Sequence, residues 1–281
     1  KQTKKLNLEG EEKVYDCSFY ENGSLLTLGN LNALDKESGY WRVYHPNGEI
    51  KGEGYFKNGL KDGEWKYYYD NGKLSSIETI VSDKLDGKFQ SYYEETGRIH
   101  SEYTWYNDEV NGEVKWYDEF GILSAINNFD NTKREGQSYS FYSNSSPKDT
   151  FNFKNNELHG DYISYHPNGA LSLKQKYNDG KDDGPIISYY ADGSVGTTGA
   201  FKDGERDGEW ISYFIKRIID VKNNFSAGKK VGEEKSYYHS GIIYSESSYN
   251  MEGELEGPYK YYTADGILYL EEEYKDGIIV K

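Results

Sequence analysis

Five histidines, His45, His100, His159, His166 and His239, come first, because imidazole binds metals and moves protons near neutral pH. They are scattered over different parts of the chain. His45 and His166 hold the same place in two HPNG turns about five repeat units apart, so with strands about 4.8 Å apart they stand roughly 50 Å from each other and cannot share a metal. The acidic turns Lys181-Asp182-Asp183-Gly184 and Asp203 to Gly208 offer the oxygens that calcium favours. They lack the spacing and the closing Glu of a calcium loop, and Asp-Gly is what a tight turn requires in any case. Acidic pairs across strands could serve as the acid and base of glycoside cleavage, yet among 48 Asp and Glu such pairs arise by chance. No glycine-rich turn leads into a helix that could hold phosphate, and no Ser, His and Asp set has a strand-to-helix setting. Cys17 is alone, which excludes an internal disulfide and a cysteine metal cluster. The expectation is a protein that is not an enzyme and holds no metal or cofactor.

Tyrosine is the residue type with a pattern. Glycines at 39, 63, 87, 112, 136, 160, 184, 208, 232 and 257 recur at a spacing of 24 with two steps of 25, and five residues after each stands an aromatic. These are Tyr44, Tyr68, Tyr92, Tyr117, Phe141, Tyr165, Tyr189, Tyr213, Tyr237 and Tyr262. Tyrosine offers area, a polar tip and little rotamer entropy, so a ladder of tyrosines can receive a partner protein or stack on sugar rings. Tyr68, Tyr92, Tyr117, Tyr165, Tyr189, Tyr213 and Tyr237 are the candidate contact residues. Two turns break the repeat, Asn144-Ser145-Ser146-Pro147 and Ile215-Lys216-Arg217, and departures from a local rule concentrate at functional sites. Asn144, Pro147, Lys216 and Arg217 therefore join the candidates; Arg217 replaces a turn glycine, and Pro147 is expected to blunt strand pairing.

These residues must be positioned by hairpins. In Gly63 to Gly87 two alternating runs flank Asn71-Gly72, the sequence of a type I′ turn with φ > 0 at both central residues. That turn would pair Tyr69 with Leu74 and Trp65 with Glu78, placing Trp65, Tyr67, Tyr69, Leu74 and Ile80 on one face and Tyr68 with Lys66 and Ser75 on the other. Equivalent tyrosines would then recur roughly every 9.6 Å along the sheet. The fold expected is all-β: an elongated single-layer antiparallel meander of tandem 24-residue β-hairpins, about 22 strands over some 100 Å, twisted into a ribbon or solenoid. Residues 1–13 read as a strand remnant or cap with a turn at Gly10, 14–38 as a degenerate first repeat, and 39–280 as ten regular repeats forming one continuous domain.

Net charge is −15, spread over the whole chain, which works against nucleic acid and anionic lipid. No apolar run approaches the 18 residues or so of a membrane span. The start at Lys1 and the acidic, Tyr-rich, nearly Cys-free composition point to a bacterial cell envelope or secreted protein, with the cytoplasm as the alternative.

Gly63, Trp65, Tyr68, Tyr69, Asn71, Gly72 and Leu74, and again Gly160, Tyr162, Tyr165, Asn168, Gly169, Leu171, Tyr177, Asp179, Gly180 and Gly184, spell a motif that resembles the MORN-repeat superfamily. It is most similar to the bacterial variant called YwqK-family antitoxin-like, and the likeness covers residues 14 to 280. The resemblance implies a single-layer sheet of stacked hairpins used as a protein-binding or scaffolding surface, with lipid association proposed for some eukaryotic members. The expected function is thus a non-enzymatic interaction scaffold within a larger protein assembly. The alternative is a glycan or cell-wall binding module, since aromatic-glycine hairpins of about 20 residues occur in choline- and glucan-binding proteins.

Overall fold

Glycine and Asx residues punctuate alternating strands, and a computed structural model of the chain shows hairpins at each such place. It describes residues 2–8 and 11–281, with side chains from Tyr15 onward. The turn expected at Gly10 lies outside the described residues. Every regular element described is a β-strand, and each long strand pairs antiparallel with the next. The expected all-β meander of tandem hairpins forms. The chain divides into two units, one of residues 1–134 with 143–145, the other of residues 135–142 and 146–281.

In the first unit Gln2–Leu8 pairs with Glu11–Phe19, which pairs with Leu25–Leu31, so the expected strand remnant is a full strand. The regular repeat is exemplified by Gly63–Tyr68 and Leu74–Val81, followed by Lys84–Tyr92 and Ile99–Tyr106. In the second unit Gly160–Tyr165, Leu171–Asn178, Gly184–Tyr189, Val195–Lys202 and Glu205–Tyr213 continue the same scheme.

The two hairpin ends use different turns, and here the structure departs from expectation. At Asn71-Gly72 only Gly72 is left-handed, with φ 78°. Gly72 N–H donates to the Tyr69 carbonyl at 3.0 Å and Tyr69 N–H to the Lys73 carbonyl at 2.8 Å, the pattern of a three-residue loop built on a type I turn. Asn71 acts through its side chain instead, its Oδ1 accepting from Lys73 N–H at 3.0 Å. The pairs with both residues left-handed lie at the opposite end, as at Asn58-Gly59 (φ 54° and 88°) and Asp203-Gly204 (φ 53° and 90°).

The longer loop shifts the register by one. Trp65 pairs with Glu78 as expected, but Leu74 faces Tyr68 rather than Tyr69, and Ser75 becomes the extra residue of a β-bulge. Leu74 therefore shares the face of Tyr68, not that of Trp65. The bulge residue turns towards the Trp side: His100 and Tyr244, which hold the place of Ser75, put their rings 5.4 Å from Trp116 and 6.0 Å from Tyr261.

A single layer has nothing above it, so large side chains must lie down across neighbouring strands to be buried. Trp41, Trp65 and Trp210 do so, with exposures of 4%, 0% and 6%. Each indole rests on a glycine of the preceding strand, where a Cβ on Gly29, Gly54 or Gly199 would stand 2.1, 2.5 or 2.3 Å from the ring. Each Nε1–H donates at 3.1 Å to the carbonyl of the next residue, Asn30, Tyr55 or Ala200. Phe56 meets Trp65 edge-on at 5.2 Å, and Phe201 meets Trp210 likewise at 5.1 Å. Above the indoles sit cations, Lys61 Nζ 4.3 Å from the Trp65 ring and Arg206 4.5 Å from that of Trp210. Burying roughly 150–250 Å² per ring is worth on the order of 4–6 kcal/mol before ordering costs.

The glycine is as necessary as the ring. Gly54→Ala should lower unfolding free energy by about 2 kcal/mol through overpacking, although alanine suits a strand no worse than glycine. Urea denaturation followed by Trp emission checks this, with Gly72→Ala separating the effect of φ from that of the close contact.

Candidate functional site

The five-after-glycine tyrosines stand opposite the Trp face, as Tyr68 shows by alternation with Tyr67 and Trp65. What fixes them is a bond from the preceding repeat to their main chain. Tyr69 Oη donates to the Tyr92 carbonyl at 2.7 Å and Tyr93 Oη to that of Tyr117 at 2.8 Å. In the second unit Tyr142 does the same for Tyr165 at 2.7 Å, Tyr190 for Tyr213 at 2.6 Å and Tyr238 for Tyr262 at 2.8 Å. His45 and His166 take the tyrosine's place, each donating from Nε2 to a ladder carbonyl, Tyr68 at 3.0 Å and Tyr189 at 2.8 Å. Their shared position in the HPNG turns is thus a structural one. The turn asparagines add a second stitch, Asn47 and Asn168 donating to the carbonyls of Asp70 and Ala191 at 2.7 and 2.8 Å.

The ladder hydroxyls differ along the chain, and the second unit has a bonded one as well, Tyr262 donating to Glu246 at 2.8 Å. In the first unit, Tyr68 donates to Glu53 and Tyr117 to Glu102, both at 2.7 Å, and Tyr92 to Gln90 at 3.1 Å. Glu53 also takes Arg42 at 3.2 Å. Burial alone would raise the Glu53 pKa, but the bonds from Tyr40, Tyr68 and Arg42 outweigh it and hold the carboxyl below its usual range. These tyrosines are spent on their own sheet. In the second unit, among the described residues, the hydroxyls of Tyr165, Tyr189, Tyr213 and Tyr237 bond to no protein group, because Thr150, Lys174, Thr198 and Lys222 hold the places of Glu53 and Glu102.

Beside that free stretch of ladder runs a row that column-by-column comparison of the repeats could have revealed. Three residues after the opening glycine, the chain carries Arg42, Lys66, Gln90 and Lys115 early, then Tyr139, then Ile163, Ile187 and Ile211, then Lys235 and Lys260. The isoleucines and Tyr165, Tyr189 and Tyr213 are partly exposed. A depression of about 250 Å³ opens there, lined by Ile163, Lys174, Lys176, Pro185 and Ile187 among others. In the first unit the comparable hollow of about 450 Å³ is lined by Lys88, Gln90, Glu102, Glu113 and Lys115, a charged surface that pairs with itself.

Of the two irregular turns, the one at Asn144-Ser145 keeps a single left-handed residue, and the one at Lys216-Arg217 has two. Ser145 stands in the glycine place at φ 64°, and Asn144 and Pro147 are exposed. Pro147 does not blunt pairing as expected: it opens the strand Pro147–Lys154 opposite Phe141, at the register shift. Lys216 and Arg217 are both left-handed, with φ 73° and 65°, and Ile215 beside them is 55% exposed. Phe214 replaces the stitching tyrosine and stacks on His239 at 3.7 Å instead. The structure thus joins Tyr165, Tyr189 and Tyr213 to a common surface, and sets Lys216 and Arg217 in a turn at the end of the Tyr213 strand.

Two measurements probe this site. His166→Tyr should preserve the stitch to Tyr189, whereas His166→Phe should cost about 1 kcal/mol of stability, read by thermal melts. Burial, reinforced by the bond to Glu102, pushes Tyr117 up to about 12 from its ordinary 10.0. Because the folded pKa is the higher one, its contribution is intact below pH 10 and lost as pH rises towards 12. Alkaline unfolding should therefore be less steep in that window for Tyr117→Phe, with one late-ionising tyrosine missing from the ultraviolet titration.

Comparison with known proteins adds three findings. Residues 37–58, 61–81, 110–131, 158–179, 230–251 and 255–276 match the family model of the MORN repeat variant. No curated protein sequence matches the chain. Among solved structures, TcdB2-TccC3-TEV is similar at 15% identity and a TM-score of 0.20, over 93% of this chain and 18% of that one. The Photorhabdus luminescens Tc holotoxin pore with the TccC3-D651A mutation is similar at 14% identity and a TM-score of 0.21, over 94% and 17%. The chain spans less than a fifth of those chains.

Proposed function

The chain is a MORN-repeat protein, built from repeats that commonly serve as protein- or membrane-interaction modules, and we propose that it is a non-enzymatic scaffold that binds another protein. The observation that carries this reading is the contrast between the two faces in the second unit. The Trp face is closed by its own side chains, with Trp210 and Phe225 buried. On the ladder face Tyr165, Tyr189 and Tyr213 present unbonded hydroxyls beside aliphatic side chains. Amphipathic rings held by their main chain, with little entropy left to lose, are the anchors protein interfaces favour. The net charge of −15 disfavours an anionic membrane as the object bound.

Photo-crosslinking tests it. A benzophenone amino acid in place of Tyr189 should give discrete protein adducts in the native cell, and the same group in place of Glu64, on the first unit's charged stretch, should give none. Adducts with lipid or glycan alone, or equal adducts from both positions, would exclude the scaffold reading.

A further inference from the structure

The row beside the free tyrosines is continuous by register. Ile163 faces Lys174, Lys174 faces Ile187, Ile187 faces Thr198 and Thr198 faces Ile211. Further along the same unit the row is self-neutralising, with Lys235 meeting Glu246 at 3.3 Å and Lys260 meeting Glu271 at 3.7 Å. Between Ile163 and Ile211 there is no carboxylate in the row, and among the described residues the Lys174 ammonium has no anionic partner. Tyr165, Tyr189 and Tyr213 flank the row on one side, and on the other Pro185 and Asp161, the latter paired with Lys176 at 3.8 Å, complete the 250 Å³ depression that Ile163, Lys174 and Ile187 line. A shallow groove thus runs from Ile163 to Ile187 and continues as a surface strip to Ile211, its isoleucines alternating with Lys174 and Thr198, with tyrosines along one side and, in Lys174, a cation without an anionic partner among the described residues.

Resting on the scaffold reading, we propose that this groove binds a polyproline II segment of the partner protein, with proline or another apolar residue at every third position and a carboxylate beside Lys174. The reason is commensurate spacing. Ile163, Ile187 and Ile211 stand on alternate strands, about 9.6 Å apart. A polyproline II helix has three residues per turn and rises about 3.1 Å per residue, so it returns the same face every 9.3 Å or so. An α-helix brings side chains back to one face after three or four residues, about 4.5–6 Å, and again after seven, about 10.5 Å, and a β-strand does so after about 6.8 Å, so neither keeps step with a spacing of about 9.6 Å. A polyproline II segment also has no internal hydrogen bonds, which leaves its carbonyls open to the Tyr165, Tyr189 and Tyr213 hydroxyls. Its prolines suit an aromatic wall, and its stiffness lowers the ordering cost of binding.

The test is fluorescence anisotropy of the full chain with a labelled peptide of about four Pro-Pro-Glu triplets. The expected result is saturable binding, weakened about tenfold by Lys174→Glu and by Tyr189→Ala, and weakened likewise when the same residues are shuffled out of the three-residue period. Both substitutions lie on the face opposite Trp210, so an unchanged Trp emission spectrum reports that the fold is intact. Equal affinity for the shuffled peptide, or indifference to Lys174→Glu, overturns the assignment. Lys174-dependent sedimentation with phosphatidylserine vesicles in the absence of peptide binding overturns it in favour of a lipid. If the peptide fails while the probe at Tyr189 still captures protein, the polyproline assignment falls alone; if both fail, the scaffold reading falls with it.

Discussion

The contact of an indole with a bare backbone is the constraint from which the rest of this structure follows. A sheet without a covering layer can bury a large side chain only by laying it flat across the neighbouring strand. That strand must then lack a Cβ beneath the ring, and Gly29, Gly54 and Gly199 supply the gap for Trp41, Trp65 and Trp210. The arrangement closes one face with material drawn from the same layer. It also makes each buried ring the joint property of two consecutive repeats, which is the nearest-neighbour coupling that holds repeat proteins together.

At the hairpin ends a different economy operates. The Tyr69-type side chain reaches into the next repeat and binds a main-chain carbonyl, and imidazole serves equally at His45 and His166 because both rings carry a donor at the right reach. The ladder residue is therefore anchored by its backbone, and its hydroxyl is left to find a partner of its own. Glu53 and Glu102 provide one in the first unit, whereas the stretch from Tyr165 to Tyr213 in the second has none. The same geometry thus yields a satisfied surface in one place and an open one in another, and a single column of the repeat decides which.

Much of this was legible in the residues. The 24-residue period located the hairpins, the alternation separated Trp65 from Tyr68, and the matching HPNG turns marked His45 and His166 as equivalent positions. What failed was the assignment of turn type. Asn-Gly was read as two left-handed residues, but the asparagine side chain caps the loop itself, so the loop gains one residue and the register moves with it. Leu74 and Ser75 exchange faces as a result. Pairing follows a period of two, so a one-residue error in a loop inverts every side chain up to the next correction. The stitch from one repeat to the next was not legible either, because its acceptor is a carbonyl and leaves no mark on the sequence.

That silent acceptor has an evolutionary consequence. A carbonyl belongs to every amino acid, so replacing a ladder tyrosine changes what the surface offers without removing the atom by which the previous repeat grips it. The architecture separates the part of each residue that holds the shape from the part that meets the outside. A lineage of such chains can rewrite its surface one side chain at a time while the frame beneath it stays in register.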